Sequence, residues 1–139
     1  MSAQGVDLIA DTLRNFGSAR IRVQGSSMLP SLRPGDEVEL RSAALHTLEI
    51  GDVVAFRRTD RLFVHRVIER NSQRQLVTRG DTLPCADPPI SQQELLGKVS
   101  AVFRNGERAD HRMTLTRRAS AAIFRNSRFC AALFLKFAS

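Results

Sequence analysis

The stretch GSSMLP, residues 25–30, is the part of the sequence that decides the fold. It follows an alternating run, residues 19–23 (ARIRV), and ends in a proline that cannot continue a helix. The alternation predicts a strand, so the two serines are expected in a tight, exposed bend at its end. An ordinary turn between two strands has the same composition, so the stretch alone leaves both interpretations open.

Three segments further along the chain favour a functional interpretation. They are GDVVAF at residues 51–56, VHRVI at residues 64–68 and TRGD at residues 78–81. Together with GSSMLP, and in this order, they resemble the serine peptidases of the signal peptidase I group and the related repressor-cleaving peptidases, the S24/S26 superfamily. The resemblance covers about residues 21 to 99. It implies a serine endopeptidase that acts on a protein or peptide.

Ser27 is the candidate nucleophile. The serine directly before methionine is the nucleophile in the resembled family, and Ser27-Met28 matches that pair. Ser26 remains an alternative, because spacing alone cannot separate two adjacent hydroxyls. A serine hydroxyl is a poor nucleophile unless a neighbouring base accepts its proton, so a base is required.

His65 is the candidate base. The two larger branches of the resembled family use a lysine, but Lys98 and Lys136 are the only lysines and neither lies in the matching strand. The chain is therefore similar to the histidine-using branch, the endoplasmic-reticulum and archaeal signal peptidases. An imidazole can take a proton at neutral pH and return it to a leaving amine. Without the serine motif, a histidine among apolar residues would be read as a core residue.

Two carboxylates are candidates to orient that histidine. A histidine base works best when an acceptor fixes its second ring nitrogen. Asp81 and Asp87 both match positions that support the histidine in the resembled branch, and the residues leave the choice open. Asp81 could instead cap a turn and Asp87 could fix the loop at Pro88-Pro89. Asp36 and Asp52 follow glycines in turns and are expected to be structural.

The oxyanion donors are the least complete part of the predicted site. In some relatives a serine two residues before the nucleophile helps to hold the oxyanion, but that position is Gly25. The backbone N–H of Ser27, the hydroxyl of Ser26 and the neighbouring Met28 are the remaining candidates for oxyanion and substrate contacts. The sequence contains no motif that predicts a cofactor or a metal ion at the site.

The remaining sequence predicts a mainly β protein in three segments. Apolar residues at helical spacing predict a short helix over residues 1–17. Closely spaced short strands over residues 18–111 predict a small, strongly bent antiparallel sheet or partial barrel, the peptidase domain. Residues 112–139 are basic. Positions 117–138 form an amphipathic pattern that predicts a surface helix, packed either on the sheet or on anionic lipid.

Charge and composition limit the classes of molecule that the protein is expected to bind. All 14 acidic residues lie at or before Asp110, so the net charge of +7 is concentrated in the last segment rather than on a nucleic-acid-binding face. No signal peptide and no clear transmembrane helix is visible, so a cytoplasmic or peripheral membrane location is expected. Two cysteines, Cys85 and Cys130, are expected to be reduced. A non-catalytic peptide-binding module on the same fold is the alternative function.

Overall fold

A single helix precedes the sheet in the computed structural model, which describes residues 2–111. Helix α1 is Ala3–Phe16. The Ser2 hydroxyl accepts a hydrogen bond from the Gly5 N–H at its start, and Gly17 ends it in the left-handed conformation with φ of 77°. Its buried side chains are those of Val6, Ile9 and Leu13, so the predicted N-terminal helix is confirmed.

Seven strands form one antiparallel sheet, which confirms the predicted mainly β fold. Along the sheet the order is β1-β2-β6-β3-β4-β5, with β7 paired to the end of β6. A one-turn 3-10 helix, Leu45–Thr47, lies between β2 and β3. The strands are β1 (Ser18–Arg22), β2 (Glu37–Arg41), β3 (Val53–Arg58), β4 (Arg61–Arg70), β5 (Leu76–Arg79), β6 (Leu95–Arg104) and β7 (Glu107–Ala109).

Strand β4 is covered unevenly. Strand β3 pairs with residues 61–66 of β4, whereas β5 pairs only with its second half, from Arg66 to Arg70. Strand β1 has β2 as its one neighbour in the sheet. Within residues 2–111, no further strand lies beside the outer side of β1 or beside the first half of β4 opposite β3, so both are edges of the sheet there.

Two cores lie on opposite faces of the sheet, because side chains alternate along each strand. In β3, Val53 and Ala55 belong to one core, and Val54 and Phe56 to the other. The helix-side core comprises Ile9, Leu13, Ile21, Val23, Met28, Leu32, Val38, Leu40, Val53, Ala55, Val99 and Val102. The second core comprises Leu48, Val54, Phe56, Val67, Leu76, Ile90 and Leu95.

The C-terminal expectations fall outside this range. The basic segment, residues 112–139, with the surface helix predicted at 117–138, lies outside the described residues, as does Cys130. Within residues 2–111 there is no helix with the length and apolar character that crossing a bilayer requires. Cys85 is disulfide-bonded, so the expectation of a reduced thiol at that position is wrong.

Candidate active site

The serine stretch forms a turn that is anchored by its methionine. Met28 is buried in the helix-side core, with 3% of its surface exposed, and its carbonyl accepts a hydrogen bond from the Leu32 N–H at 2.9 Å. Gly25 has a φ of 80°, which a residue with a side chain rarely adopts. Ser26 is exposed and Ser27 is half-buried. The buried Met28 therefore fixes the turn, and the turn presents Ser27 at the surface.

Ser27 faces His65. The Nε2 atom of His65 lies 3.2 Å from the Ser27 Oγ, within hydrogen-bond distance. His65 is in the middle of β4, only 4% exposed, and the rings of Phe56 and Phe63 meet it edge-on at 6.0 and 5.9 Å between centroids. The two rings pack against the imidazole while its Nε2 faces Ser27, from which it can accept a proton.

Asp87 holds the other side of the imidazole. Its Oδ2 lies 2.6 Å from the Nδ1 of His65, and the Thr78 hydroxyl donates to the same oxygen at 2.6 Å. The Asp87 N–H also donates to the Thr78 carbonyl at 2.8 Å, which ties the loop to β5. A carboxylate on Nδ1 leaves Nε2 as the acceptor facing the serine. Ser27, His65 and Asp87 thus form a continuous chain of contacts.

Asp81 lies elsewhere. Both of its oxygens accept hydrogen bonds from the Arg66 guanidinium at 2.9 Å, and the two side chains are 5% and 3% exposed. Arg66 also donates to the carbonyls of Gly51 and His111. Of the two aspartates left open by the sequence, the structure brings Asp87 to His65 and pairs Asp81 with Arg66. Asp81 is in a structural ion pair.

The loop after β5 supports the serine turn. The backbone N–H and the hydroxyl of Thr82 both donate to the Ser27 carbonyl, at 3.0 and 3.1 Å. A Cβ at Gly80 would lie 2.8 Å from that same carbonyl oxygen, so only glycine fits there. Sequence reasoning did not assign a role to Gly80, Thr78 or Thr82. The glycine in TRGD was the available signal, because close backbone approach is a common reason for glycine at a strand end.

A cleft of about 590 Å³ opens in front of Ser27. It lies between the end of β1 and the first half of β4, the two sheet edges described above. Its apolar walls include the side chains of Ile21, Val23, Leu32, Leu62, Val64 and Leu83. Ser26 and Met28 also line it, so both predicted contact residues are near the cleft. An apolar groove with strand edges on both sides suits an extended peptide.

The Ser27 backbone N–H has no hydrogen-bond acceptor among residues 2–111. A backbone donor beside the nucleophile is what an oxyanion needs when a carbonyl is attacked. The exposed hydroxyl of Ser26 adjoins it in the chain. Gly25 has no side chain to add to these two donors.

The two glycine-aspartate turns have structural carboxylates, as predicted. Asp36, 2% exposed, accepts two hydrogen bonds from Arg104 at 2.9 and 2.7 Å and one from the Arg33 N–H at 2.8 Å. Burial alone would raise the pKa of Asp36, but the bonds from Arg104 and from the Arg33 N–H outweigh it and lower that pKa. Asp52 accepts from the Glu49 N–H and pairs with Lys98 at 3.3 Å.

Comparison with known proteins identifies the family of the chain. Residues 3–100 match the family model described as Peptidase S24-like. The chain belongs to the peptidase S24-like family. No protein of curated function matches the chain at a significant level. Membership confirms the S24/S26 assignment at superfamily level, and it makes peptides or proteins the substrate class that the family suggests.

Lys98, the one lysine among residues 2–111, contacts a carboxylate outside the candidate triad. Lys98 lies on β6 and pairs with Asp52, and Lys136 lies outside the described residues. The resemblance implies a lysine in the two larger branches, whereas the described residues place His65 beside Ser27. No group of three or more His, Cys, Asp or Glu side chains in the described part of the chain is arranged to hold a metal ion.

Proposed function

We propose that this S24-like protein is a serine endopeptidase in which Ser27 is the nucleophile, His65 the general base and Asp87 the group that orients His65. The observation that carries the proposal is the unbroken chain of contacts from Ser27 Oγ to His65 Nε2, and from His65 Nδ1 to Asp87 Oδ2. This connectivity is that of a Ser-His-Asp triad, which is recognised by geometry and not by sequence order.

The acylation half of the reaction follows from these positions. Ser27 Oγ attacks the carbonyl carbon of the scissile bond while His65 Nε2 takes the hydroxyl proton, giving a tetrahedral oxyanion and an imidazolium. Asp87 stabilises the charged imidazolium through Nδ1. The C–N bond then breaks, and the imidazolium gives its proton to the leaving amine. An ester of Ser27 and a free amine result.

Deacylation uses the same groups. A water molecule takes the place of the departed amine, and His65 Nε2 removes its proton as the oxygen attacks the ester carbonyl. When the tetrahedral intermediate collapses, the ester C–O bond breaks and His65 returns the proton to Ser27 Oγ. In both steps the Ser27 N–H is the backbone donor to the oxyanion, and the Ser26 hydroxyl is the second donor.

The finer assignment is to the histidine-using branch, similar to endoplasmic-reticulum and archaeal signal peptidases. The support is His65 in place of a lysine at the position beside Ser27. The substrate is then an extended segment of a precursor protein or peptide, lying along the edges of β1 and β4. The resemblance implies small residues at the cleavage site.

The decisive experiment is cleavage of a complex peptide library, followed by mass spectrometry of the products. The wild-type chain should generate new peptide termini with shared residues around the cut. Ser27→Ala and His65→Ala should each reduce cleavage by about 10⁶-fold, as removal of a triad serine or histidine does elsewhere.

Ser26→Ala is the matched control, since it removes a hydroxyl one residue away in the same turn. It should slow cleavage without abolishing it. Circular dichroism and thermal unfolding show whether each variant folds as the wild type does. Full activity in His65→Ala, or loss of activity in Ser26→Ala alone, would exclude this mechanism. Peptide binding without cleavage by the wild type would favour the non-catalytic module.

A further inference from the structure

Two adjacent prolines follow the aspartate that contacts His65. The segment from Asp87 to Ile90 runs beside β5, with the Asp87 N–H on the Thr78 carbonyl and the Ile90 N–H on the Leu76 carbonyl, both at 2.8 Å. Between those two bonds lie Pro88 and Pro89, which have no N–H to donate. Backbone hydrogen bonds at Pro88 and Pro89 can therefore be made only to their carbonyl groups.

One guanidinium binds both of those carbonyls. Arg58, the last residue of β3, donates from Nη1 to the Pro88 carbonyl at 2.8 Å and from Nη2 to the Pro89 carbonyl at 2.9 Å. Its Nε donates to Glu94 Oε2 at 2.8 Å, and its side chain is 14% exposed. Five N–H donors in a rigid plane allow arginine to hold several acceptors at once, which lysine cannot do.

Arg58 also lies on the same side of β3 as the ring that contacts the histidine. Its guanidinium carbon is 5.4 Å from the centre of the Phe56 ring, and that ring meets His65 edge-on. Residues two apart on a strand share a face, so Phe56 and Arg58 project together. Arg58 therefore contacts both supports of the imidazole, the aromatic wall and the loop that carries Asp87.

We propose that Arg58 is a positioning residue of the active site, which fixes the Asp87 carboxylate on His65 by clamping the Pro88 and Pro89 carbonyls to Glu94. The inference rests on the proposed triad. Because Pro88 directly follows Asp87 in the chain, a shift of the clamp displaces Asp87 and its carboxylate. Misplacing a catalytic group by about 1 Å can cost on the order of 10²-fold in rate.

Arg57 provides a matched control one residue away. It projects to the opposite face, where it pairs with Asp7 of α1 at 2.5 Å and with Asp60 at 3.0 Å. Arg57→Gln and Arg58→Gln thus each remove one positive charge and its ion pairs from the same strand. Of these two arginines, only Arg58 donates hydrogen bonds to the Pro88 and Pro89 carbonyls.

The test compares these variants of the full chain in two measurements. The first is kcat and KM on a peptide found by the library experiment. The second is the low-field proton NMR resonance of an imidazole N–H bonded to a carboxylate, which needs no substrate. Arg58→Gln should lower kcat by about 10²-fold at near wild-type KM and lose or shift the resonance. Arg57→Gln should leave both unchanged.

Arg58→Lys keeps the charge but cannot hold three acceptors, so it should fall between wild type and Arg58→Gln in kcat. It also keeps the proposal testable if Arg58→Gln does not fold. Wild-type kcat and an unchanged resonance in a folded Arg58 variant would overturn the clamp. A change in the resonance without any peptidase activity in the wild type would support the clamp and reject the proposed function.

Discussion

The connection between β5 and β6 consists of two loops, residues 80–86 and residues 87–94, and each carries an aspartate with a different partner. The first loop contains Asp81, which pairs through both oxygens with Arg66. The second contains Asp87, which contacts His65 with one oxygen and accepts from Thr78 on the same atom. In the sequence the two aspartates are six residues apart and equally suited to support a histidine.

The alternation of β4 separates them. His65 and Arg66 are neighbours on the strand, so their side chains point to opposite faces of the sheet. Phe63 packs against the second core and Val64 against the helix-side core. His65 therefore lies on the face of the second core, and Arg66 lies on the face of the helix-side core. Asp87 therefore contacts the imidazole on one face of the sheet, and Asp81 pairs with the guanidinium on the other face.

Of the two aspartates, Asp87 should have the larger effect on catalysis when it is replaced. Asp87→Asn presents an amide to Nδ1 and no longer stabilises the imidazolium or its tautomer. By analogy with the Ser-His-Asp template, kcat should fall by up to about 10⁴-fold, with little change in the free energy of unfolding. Steady-state kinetics and denaturant unfolding measure the two quantities. Wild-type kcat in this variant would reduce the triad to a Ser27–His65 dyad.

Replacement of Asp81 should instead affect stability. Asp81→Asn leaves the Arg66 guanidinium, 3% exposed, without its counter-charge. Breaking a buried pair by removing one partner costs about 3–5 kcal/mol. The free energy of unfolding should fall by that amount, whereas kcat per folded molecule should stay far above that of Asp87→Asn. The comparison of the two loops fails if the two variants show the same pattern.

The sequence predicted the elements better than the contacts between them. The N-terminal helix, the strand succession and the bent antiparallel sheet follow from local periodicity and turn residues, which neighbouring positions determine. The candidate pair Ser27 and His65 followed from motif resemblance. Choosing between Asp81 and Asp87 required the path of two loops in space, which depends on packing across β4 and β5.

The supporting residues were harder to predict for the same reason. Thr82 and Gly80 act through the backbone carbonyl of Ser27, and a backbone contact leaves no pattern in side-chain type. Arg58 lies 29 residues before Asp87 and has the same type as its neighbour Arg57. Only the fold shows that one of these arginines faces the proline loop.

The smallest expected effect is the pH dependence of the stability that the Arg58–Glu94 ion pair contributes. The hydrogen bond from Arg58, the largest cause, lowers the pKa of Glu94 below its ordinary value of 4.5. Because the folded pKa is below the unfolded one, the stabilising contribution of Glu94 is complete above about pH 4.5. It is lost as the pH falls through the folded pKa.

Glu94→Gln should therefore be less stable than wild type at neutral pH, by about 1 kcal/mol or less because Glu94 is partly exposed. Denaturant unfolding at about pH 7, 5 and 3.5 should show a constant difference between the two proteins down to about pH 5 and a smaller one at the lowest pH. A difference that grows on acidification would contradict the assigned ion pair. Asp81→Asn serves as the contrasting variant, since its deficit arises from an uncompensated Arg66 and not from the titration of Glu94. The part of the acid-induced loss that wild type shows beyond that of Glu94→Gln would then be assigned to Glu94.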